Sequence, residues 1–102
     1  MTPAQGDVWW AEAEDKRRPV LIVTRSEVVP VLRWLVVAPV TRTVRGIKTE
    51  IPLGLAEGLA HASAATFDNL QPIRQSFLTE RVGALATPRS AICGALFALA
   101  DC

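Results

Sequence analysis

Several features on which enzymes and metalloproteins often depend are scarce in this 102-residue chain. A single histidine, His61, excludes a catalytic pair of histidines and is interpreted as a residue of a glycine-rich surface turn. The two cysteines, Cys93 and Cys102, match no zinc-ligand spacing, and a disulfide between them would close only a short loop. Reduced thiols in a cytosolic protein are therefore expected. No metal or other cofactor is predicted, because Asp, Glu, His and Cys form no cluster with ligand spacing.

Long apolar runs and common enzyme motifs are also absent. No apolar stretch approaches the roughly 18 residues that span a membrane. The first residues, MTPAQGDVWW, contain neither the basic nor the apolar region of a secretory signal. The sequence has no GxxxxGKS/T, GxGxxG, HExxH or GxSxG motif. We therefore expect a cytoplasmic protein without a membrane segment, whose function depends on other residues.

The size and composition of the chain fit one domain spanning residues 1–102. Half of the residues are apolar and 21% are charged, as in ordinary globular proteins. A domain of this size buries about two thirds of its unfolded surface, which is enough for one modest core.

Positive charge is concentrated in one part of the sequence, although the net charge is only +1. Residues 16–48 contain eight basic residues and one acid, whereas the remainder contains three basic residues and nine acids. This asymmetry favours one positively charged face that binds a polyanion. The alternative is a surface on which these charges pair with acids and bind no partner.

Short apolar segments separated by polar residues predict a mainly β domain. Segments rich in β-branched and aromatic residues predict strands over residues 8–11, 19–24, 32–39, 49–53 and 81–85, with one or two more between 63 and 73. Residues 12–18 are predicted to be a polar loop, residues 54–61 a turn region and residues 75–80 a short helical turn. Pro19 lacks an N–H and suits the first position of the second strand.

One helix is predicted to begin at Thr87-Pro88, where threonine can cap free N–H groups and proline fits the first turn. Apolar residues then recur at helical spacing, at Ala91, Ile92, Ala95, Leu96 and Leu99. Five to seven short strands followed by one helix favour a small, strongly curved barrel or sandwich.

Arginine and threonine residues at two predicted strand ends are the strongest candidates for a site. Arg17 and Arg18 precede the apolar segment 19–24, and the segment TRTVR at 41–45 follows the apolar segment 35–40. Guanidinium binds phosphate through paired hydrogen bonds and stays charged at working pH. Together the two groups would clamp one phosphate if these strand ends meet.

The order of several segments is distinctive: GDVWW at 6–10, RPVLIV at 18–23, VVAPVT at 36–41, TEIPL at 49–53, SAATFDNLQPI at 63–73 and VGAL at 82–85, followed by the helix. This order resembles the MazF/PemK family of toxin–antitoxin ribonucleases, and the resemblance covers nearly the whole chain. It implies a small SH3-like β-barrel that forms a homodimer and cleaves single-stranded RNA at short sequences without a metal, which inhibits translation and growth. The implied partner is a cognate MazE-like antitoxin, whose acidic tail would cover the RNA groove.

The resemblance places the family's catalytic arginine at Arg18 and its catalytic threonine at Thr41. In the implied reaction the 2′-OH of the RNA attacks the adjacent phosphorus, leaving a 2′,3′-cyclic phosphate and a 5′-OH. Arg18 would stabilise the charge that develops on the phosphate, and Thr41 would hydrogen-bond a phosphate oxygen. Further candidates for RNA contacts are Lys16, Arg17, Arg42, Thr43, Arg45 and Lys48.

Two details of the implied site remain open. Many family members carry a glutamate five residues before the arginine as a possible general base, where this sequence has Ala13. Glu14 and Asp15 are the alternatives, unless they only pair with neighbouring basic residues. Asn69 either reads a base edge or forms a turn, and the tryptophans either stack on bases or pack in the core or at a dimer contact.

A second hypothesis comes from a different functional class. The same barrel can serve as a non-catalytic module that only binds RNA, or as a topoisomerase poison. The combination of Arg18 and Thr41 favours the ribonuclease, because a topoisomerase poison of this fold would not need it.

Overall fold

The computed structural model describes residues 2–13 and 15–100. The strands of this part of the chain are β1 Asp7–Ala13, β2 Lys16–Ile22, β3 Trp34–Thr41, β4 Glu50–Leu53, β5 Ser63–Thr66, β6 Gln71–Arg74 and β7 Leu78–Ala84. The helix α1 spans Pro88–Ala100, and short 3-10 turns occur at Val29–Val31, Leu55–Glu57, Phe67–Asn69 and Gln75–Phe77. None of the helices in these residues has the length and apolar character needed to cross a bilayer.

The strands form one antiparallel sheet that curls around an apolar interior. Its order is β4-β5-β3-β2-β1-β7, and β6 pairs with β3 outside this path. β3 joins the two parts of the sheet, because its earlier residues pair with β2 and β6 whereas Val40 and Thr41 pair with β5. The predicted mainly β fold, with five to seven short strands and a C-terminal helix, is confirmed.

Side chains alternate between the two faces of the strands and form two apolar clusters. The main core contains Val8, Leu21 and Phe67 and is closed by Ile92 and Ala95 of α1. A smaller cluster on the other face contains Trp9, Ala11, Val20, Ile22 and Val37. Burial of one large apolar side chain contributes about 1.5–3 kcal/mol, so β2 is held firmly from both faces.

The prediction of a polar loop over residues 12–18 is wrong. β1 continues to Ala13 and β2 begins at Lys16, so Lys16, Arg17 and Arg18 belong to a strand. Glu12 lies directly opposite Arg17 in the β1–β2 pair, and opposite charges at facing positions stabilise such a pair. Pro19 is therefore the fourth residue of β2 and not the first.

Other boundaries also differ from the prediction. β3 begins at Trp34 and ends at Thr41, two residues later than predicted at each end. Only Gln75–Phe77 of the predicted helical turn over 75–80 is helical, because Leu78 already pairs with Ala11 in β1. On α1, Ile92 and Ala95 are buried, but Leu99 is 41% exposed and so does not hold the helix to the core. Cys102 lies outside the described residues.

Candidate functional site

An open cleft of about 880 Å³ lies where β2, the end of β3 and the connector before β5 meet. It brings together five residues that the sequence analysis proposed for a site: Arg18, Thr41, Arg42, Thr43 and Asn69. Its other polar, charged and aromatic lining residues are Trp10, His61, Ser63 and Thr66, and no described Asp or Glu lines it. Two guanidinium groups without a lining carboxylate make the cleft suitable for an anion.

The positions of Arg18 and Thr41 follow from the register of β2 and β3. Val20 pairs with Pro39 at the last position of the β2–β3 ladder, and Arg18 and Thr41 each lie two residues further along their strands, where Arg18 pairs with Ala11 of β1 and Thr41 with Ala64 of β5. Side chains two residues apart lie on the same face of a strand. Arg18 and Thr41 therefore lie just beyond the end of the ladder on neighbouring strands, and both line the cleft.

The β2–β3 ladder ends beside two prolines. The β2–β3 ladder stops at the pair of Val20 and Pro39, and Pro19 follows at once on β2. Pro19 has no N–H to donate across the ladder, so the hydrogen-bonded ladder does not continue toward Arg18 and Thr41. Both prolines line the cleft that begins there.

The hydroxyl of Thr41 is already oriented by the backbone. Its Oγ1 accepts a hydrogen bond of 3.1 Å from the amide of Thr43. A hydroxyl that accepts one hydrogen bond still has its own hydrogen to donate. Thr41 can therefore donate to an oxygen atom of a ligand in the cleft.

A buried carboxylate organises the basic segment after β3. Glu50 is only 8% exposed, and its Oε1 accepts hydrogen bonds from the amides of Arg45, at 2.9 Å, and Gly46, at 3.0 Å. Arg42 and Thr43 of this segment line the cleft. The side chains of Arg45 and Lys48 do not; Lys48 instead borders a depression beside α1, near Phe97.

Arg17 is engaged by protein groups. Its guanidinium lies 3.1 Å from a carboxylate oxygen of Glu80 and 3.8 Å from one of Glu12. It also stacks over the ring of Trp10, with 4.2 Å between the guanidinium carbon and the ring centroid. Because Trp10 lines the cleft, Arg17 supports an aromatic wall of the cleft.

The remaining residues proposed near Arg18 lie outside the main cleft. Lys16 shares with Arg18 a second depression of about 310 Å³, bordered by Gln71 and Ile73. Asp15 is exposed in the turn between β1 and β2 and does not line the cleft. Glu14, the other candidate for a general base, lies outside the described residues.

Asn69 is held near the cleft by its neighbour. Asp68 accepts a 2.7 Å hydrogen bond from the hydroxyl of Thr49, at the start of the β4 region. This contact ties the 3-10 turn Phe67–Asn69 to the neighbouring strand. Asn69 therefore belongs to a turn and also lines the cleft.

Sequence reasoning missed two groups of residues that shape this site. His61 was assigned to a surface turn, and it is exposed in a connector, but this connector forms one wall of the cleft. The second group is formed by Glu50, which anchors the segment after β3, and by Arg17, which stacks on Trp10. These contacts join residues on different elements, and the sequence does not indicate them. The only available signal for His61 was its position two residues before β5, which pairs with the strand end at Thr41.

Comparisons with known proteins give consistent results. The profile of the PemK-like, MazF-like toxins of type II toxin–antitoxin systems matches residues 4–97. The chain is 41% identical over 103 residues to the probable endoribonuclease MazF5 of Mycobacterium tuberculosis, covering 98% of this chain and 94% of that protein. It is also similar to the structure of the Mycobacterium tuberculosis toxin MazF-mt6, with a TM-score of 0.84, 40% identity and coverage of 93% and 96% of the two chains.

A more distant structure shares the fold. It is described as an endoribonuclease in complex with its cognate antitoxin from a mycobacterial species. The TM-score is 0.78 at 22% identity, with coverage of 93% of this chain and 91% of that one. At this identity the likeness shows a common fold.

Proposed function

Because this chain belongs to the PemK-like, MazF-like toxin family of type II toxin–antitoxin systems, we propose that it is a sequence-specific endoribonuclease that cleaves single-stranded RNA in the cleft of Arg18 and Thr41. The observation that carries this proposal is that these two residues, just beyond the last β2–β3 pair, line one cleft whose lining contains no described Asp or Glu. A guanidinium and a hydroxyl that line one cleft suit two oxygen atoms of one phosphate.

The reaction would use the RNA's own 2′-OH as the nucleophile. The 2′-oxygen forms a bond to phosphorus while the bond from phosphorus to the 5′-oxygen breaks, which leaves a 2′,3′-cyclic phosphate and a 5′-OH. Negative charge increases on the non-bridging oxygens in the transition state, and Arg18 would stabilise it. Thr41 would donate its hydroxyl hydrogen to a phosphate oxygen and hold the phosphate in line.

Residues around this pair would bind the flanking nucleotides. Arg42 and Thr43 line the cleft and would contact a neighbouring phosphate, and Lys16 would bind a phosphate from the second depression. Trp10 offers a ring on which a base can stack. Asn69 would hydrogen-bond a base edge, since its amide group carries both donors and an acceptor.

The partners and setting of this activity are part of the proposal. A MazE-like antitoxin would cover the cleft with an acidic segment, which suits a lining that contains Arg18 and Arg42. The chain would act in the cytoplasm as a homodimer. The exposed apolar residues Val31, Leu32, Trp34 and Val36 would form the contact between the two copies.

The decisive experiment is cleavage of a mixed RNA by the purified protein in the presence of EDTA. We expect cleavage by the natural chain, and mapping of the product 5′ ends should give a short common sequence. Arg18→Ala should lower the rate by at least about 100-fold, since removal of one group that stabilises transition-state charge costs about 10²–10³. Arg25→Ala, which changes an exposed arginine outside the cleft, is the matched control.

Each result distinguishes the ribonuclease from the alternatives. Cleavage that Arg18→Ala does not change would refute the proposed site. RNA binding without cleavage by the natural chain would favour the non-catalytic module. Neither binding nor cleavage, together with inhibition of a topoisomerase, would favour the topoisomerase poison.

A further inference from the structure

The proposed reaction needs a group that takes the proton from the attacking 2′-OH. A neutral hydroxyl is a weak nucleophile, and a side chain that accepts its proton in the transition state typically contributes about 10²–10⁴ in rate. The family position for a candidate base holds Ala13, whose side chain has no group that can accept a proton. The base must therefore come from elsewhere.

We infer that His61 is this proton acceptor, an inference that rests on the proposed ribonuclease function. The titratable side chains that line the cleft, within the described part of the chain, are Arg18, Arg42 and His61. Arginine does not release its proton at working pH. Imidazole is the side chain whose ordinary pKa lies nearest to neutrality, so it can accept and release a proton within one turnover.

Carboxylates of the surrounding elements lie outside the cleft lining and are engaged with other groups. These contacts are Glu12 and Glu80 with Arg17, Glu57 with the amide of Gly54, and Asp68 with the hydroxyl of Thr49. Within residues 2–13 and 15–100, the His61 side chain has no hydrogen bond or ion pair with the protein. Its ring nitrogens are therefore available to a ligand.

The backbone holds His61 at the wall of the cleft. The hydroxyl of Ser63 donates a 3.1 Å hydrogen bond to the carbonyl oxygen of His61. Ser63 begins β5 and the next residue, Ala64, pairs with Thr41. On the other side, Gly58 has a φ of +89°, and an added Cβ would collide with the carbonyl of Val82 in β7. The connector is thus fixed at both ends, next to the strand that carries Thr41.

The charged groups that line the cleft together with His61 are Arg18 from β2 and Arg42 from the segment after β3. The lining residues of β1, β5, β7 and the turn with Asn69 carry no charge. In the proposed step, a ring nitrogen of His61 takes the 2′-OH proton as the 2′-oxygen bonds to phosphorus. The 5′-oxygen leaves with its bonding electron pair and takes a proton from water, and the imidazolium then returns its proton to solvent.

The test compares single-turnover cleavage by the natural chain and His61→Gln from about pH 5 to about pH 9. The RNA substrate carries the sequence that the natural chain cuts. We expect the rate of the natural chain to decline at acidic pH, and we expect the variant to be about 100-fold slower or worse at neutral pH and to lack this decline. Affinity for the same RNA with a 2′-methoxy group at the cut nucleotide should stay within about threefold, because binding does not require proton transfer.

Two further measurements, on a control variant and on a modified substrate, test whether His61 acts specifically as the base. Leu55→Gln changes an exposed residue of the same connector outside the cleft and should retain the natural rate. A substrate with sulfur in place of the 5′-oxygen has a leaving group that needs no proton. If His61 is the base, the variant remains defective on this substrate.

The outcomes separate this inference from the proposed function. Loss of activity in Arg18→Ala, with an unchanged rate and pH profile in His61→Gln, would overturn only the role of His61. Recovery of the natural rate on the 5′-sulfur substrate would make His61 the acid and refute its role as the base. Loss of the acidic decline in Glu14→Gln or Asp15→Asn, but not in His61→Gln, would assign the base to the substituted carboxylate. An inactive natural chain would refute the proposed function itself.

Discussion

At the scale of single residues, the site depends on which side chains already contact other groups of the protein. Arg17 and Arg18 are neighbours in sequence with the same side chain, but Arg17 is bound by two carboxylates and an indole ring. Arg18 has no such contacts among the described residues, and it borders both depressions. Adjacent residues of a strand point to opposite faces, and this alternation gives the two arginines different roles.

The hydroxyl of Thr41 offers a test at this scale. Thr41→Val keeps the β-branched shape and removes the hydrogen-bond donor, so we expect cleavage to slow by about 10- to 100-fold, since a hydrogen bond to a charged group is worth about 1.5–3 kcal/mol. Thr41→Ser retains the hydroxyl and should remain close to the natural rate. Single-turnover kinetics on one RNA measures both, and equal rates for the valine variant and the natural chain would exclude a role for the hydroxyl.

At the scale of elements, the cleft is formed by ends and connectors that the strands hold in place. The segment between β3 and β4 has no regular structure from residue 43 to residue 47. It is nevertheless anchored, because Glu50 at the start of β4 accepts hydrogen bonds from two of its amides. The position of Arg42 and Thr43 therefore depends on a carboxylate outside the cleft.

Glu50→Ala should separate this supporting role from direct contact with RNA. The substitution leaves two amides without their acceptor, and we expect the free energy of unfolding to fall by about 1–3 kcal/mol. Affinity for an uncleavable RNA should fall as well, because Arg42 and Thr43 lose their fixed position. Urea unfolding and RNA titration measure the two effects. Glu27→Ala, at an exposed glutamate, should change neither, and a stable Glu50→Ala protein with natural affinity would contradict this account.

At the scale of the whole molecule, the surface carries an apolar patch that the fold leaves open. Val31 is 79% exposed and Trp34 is 51% exposed, and Leu32 and Val36 continue the same stretch. Large exposed apolar side chains close together are typical of protein interfaces. A second exposed group, Phe97 and Leu99, lies on α1, which makes the location of a dimer contact testable.

We predict that Trp34→Arg converts the proposed homodimer into a monomer, whereas Phe97→Arg leaves it dimeric. A buried charge without a partner strongly destabilises an interface, and the two variants place the same charge on the two apolar patches. Size-exclusion chromatography with light scattering gives the mass in each case. A dimeric Trp34→Arg protein would remove the β3 patch from the interface, and a monomeric Phe97→Arg protein would assign the interface to α1.

The sequence predicted the parts of this molecule that depend on local patterns. Apolar segments and the Thr87-Pro88 signal gave the mainly β fold with one helix, and the two basic clusters at strand ends led to residues that share one cleft. The hairpin was missed because charged residues usually indicate loops, whereas here Glu12 and Arg17 stabilise each other across two strands.

Contacts between residues that are far apart in the sequence could not be predicted. The pairing of Arg17 with Glu80 joins positions 63 residues apart, and the place of His61 in the cleft depends on the pairing of β5 with β3. Local sequence patterns do not indicate such pairings, because the pairings are fixed by the register of the whole sheet. Arg45 and Lys48, which resembled their neighbours in charge, lie outside the cleft for the same reason.

The proline beside the cleft has a consequence for how the recognised RNA sequence can differ between related proteins. A gap that is kept open only by side chains can close when those side chains change, because the free backbone groups of two strands can then pair. Here Pro19 lacks the donor that such closure requires. The opening therefore depends on the backbone at this position, and the side chains around it can change without closing it. If the proposed contacts to bases hold, substitutions at Trp10 or Asn69 would alter which bases are read while the opening itself persists.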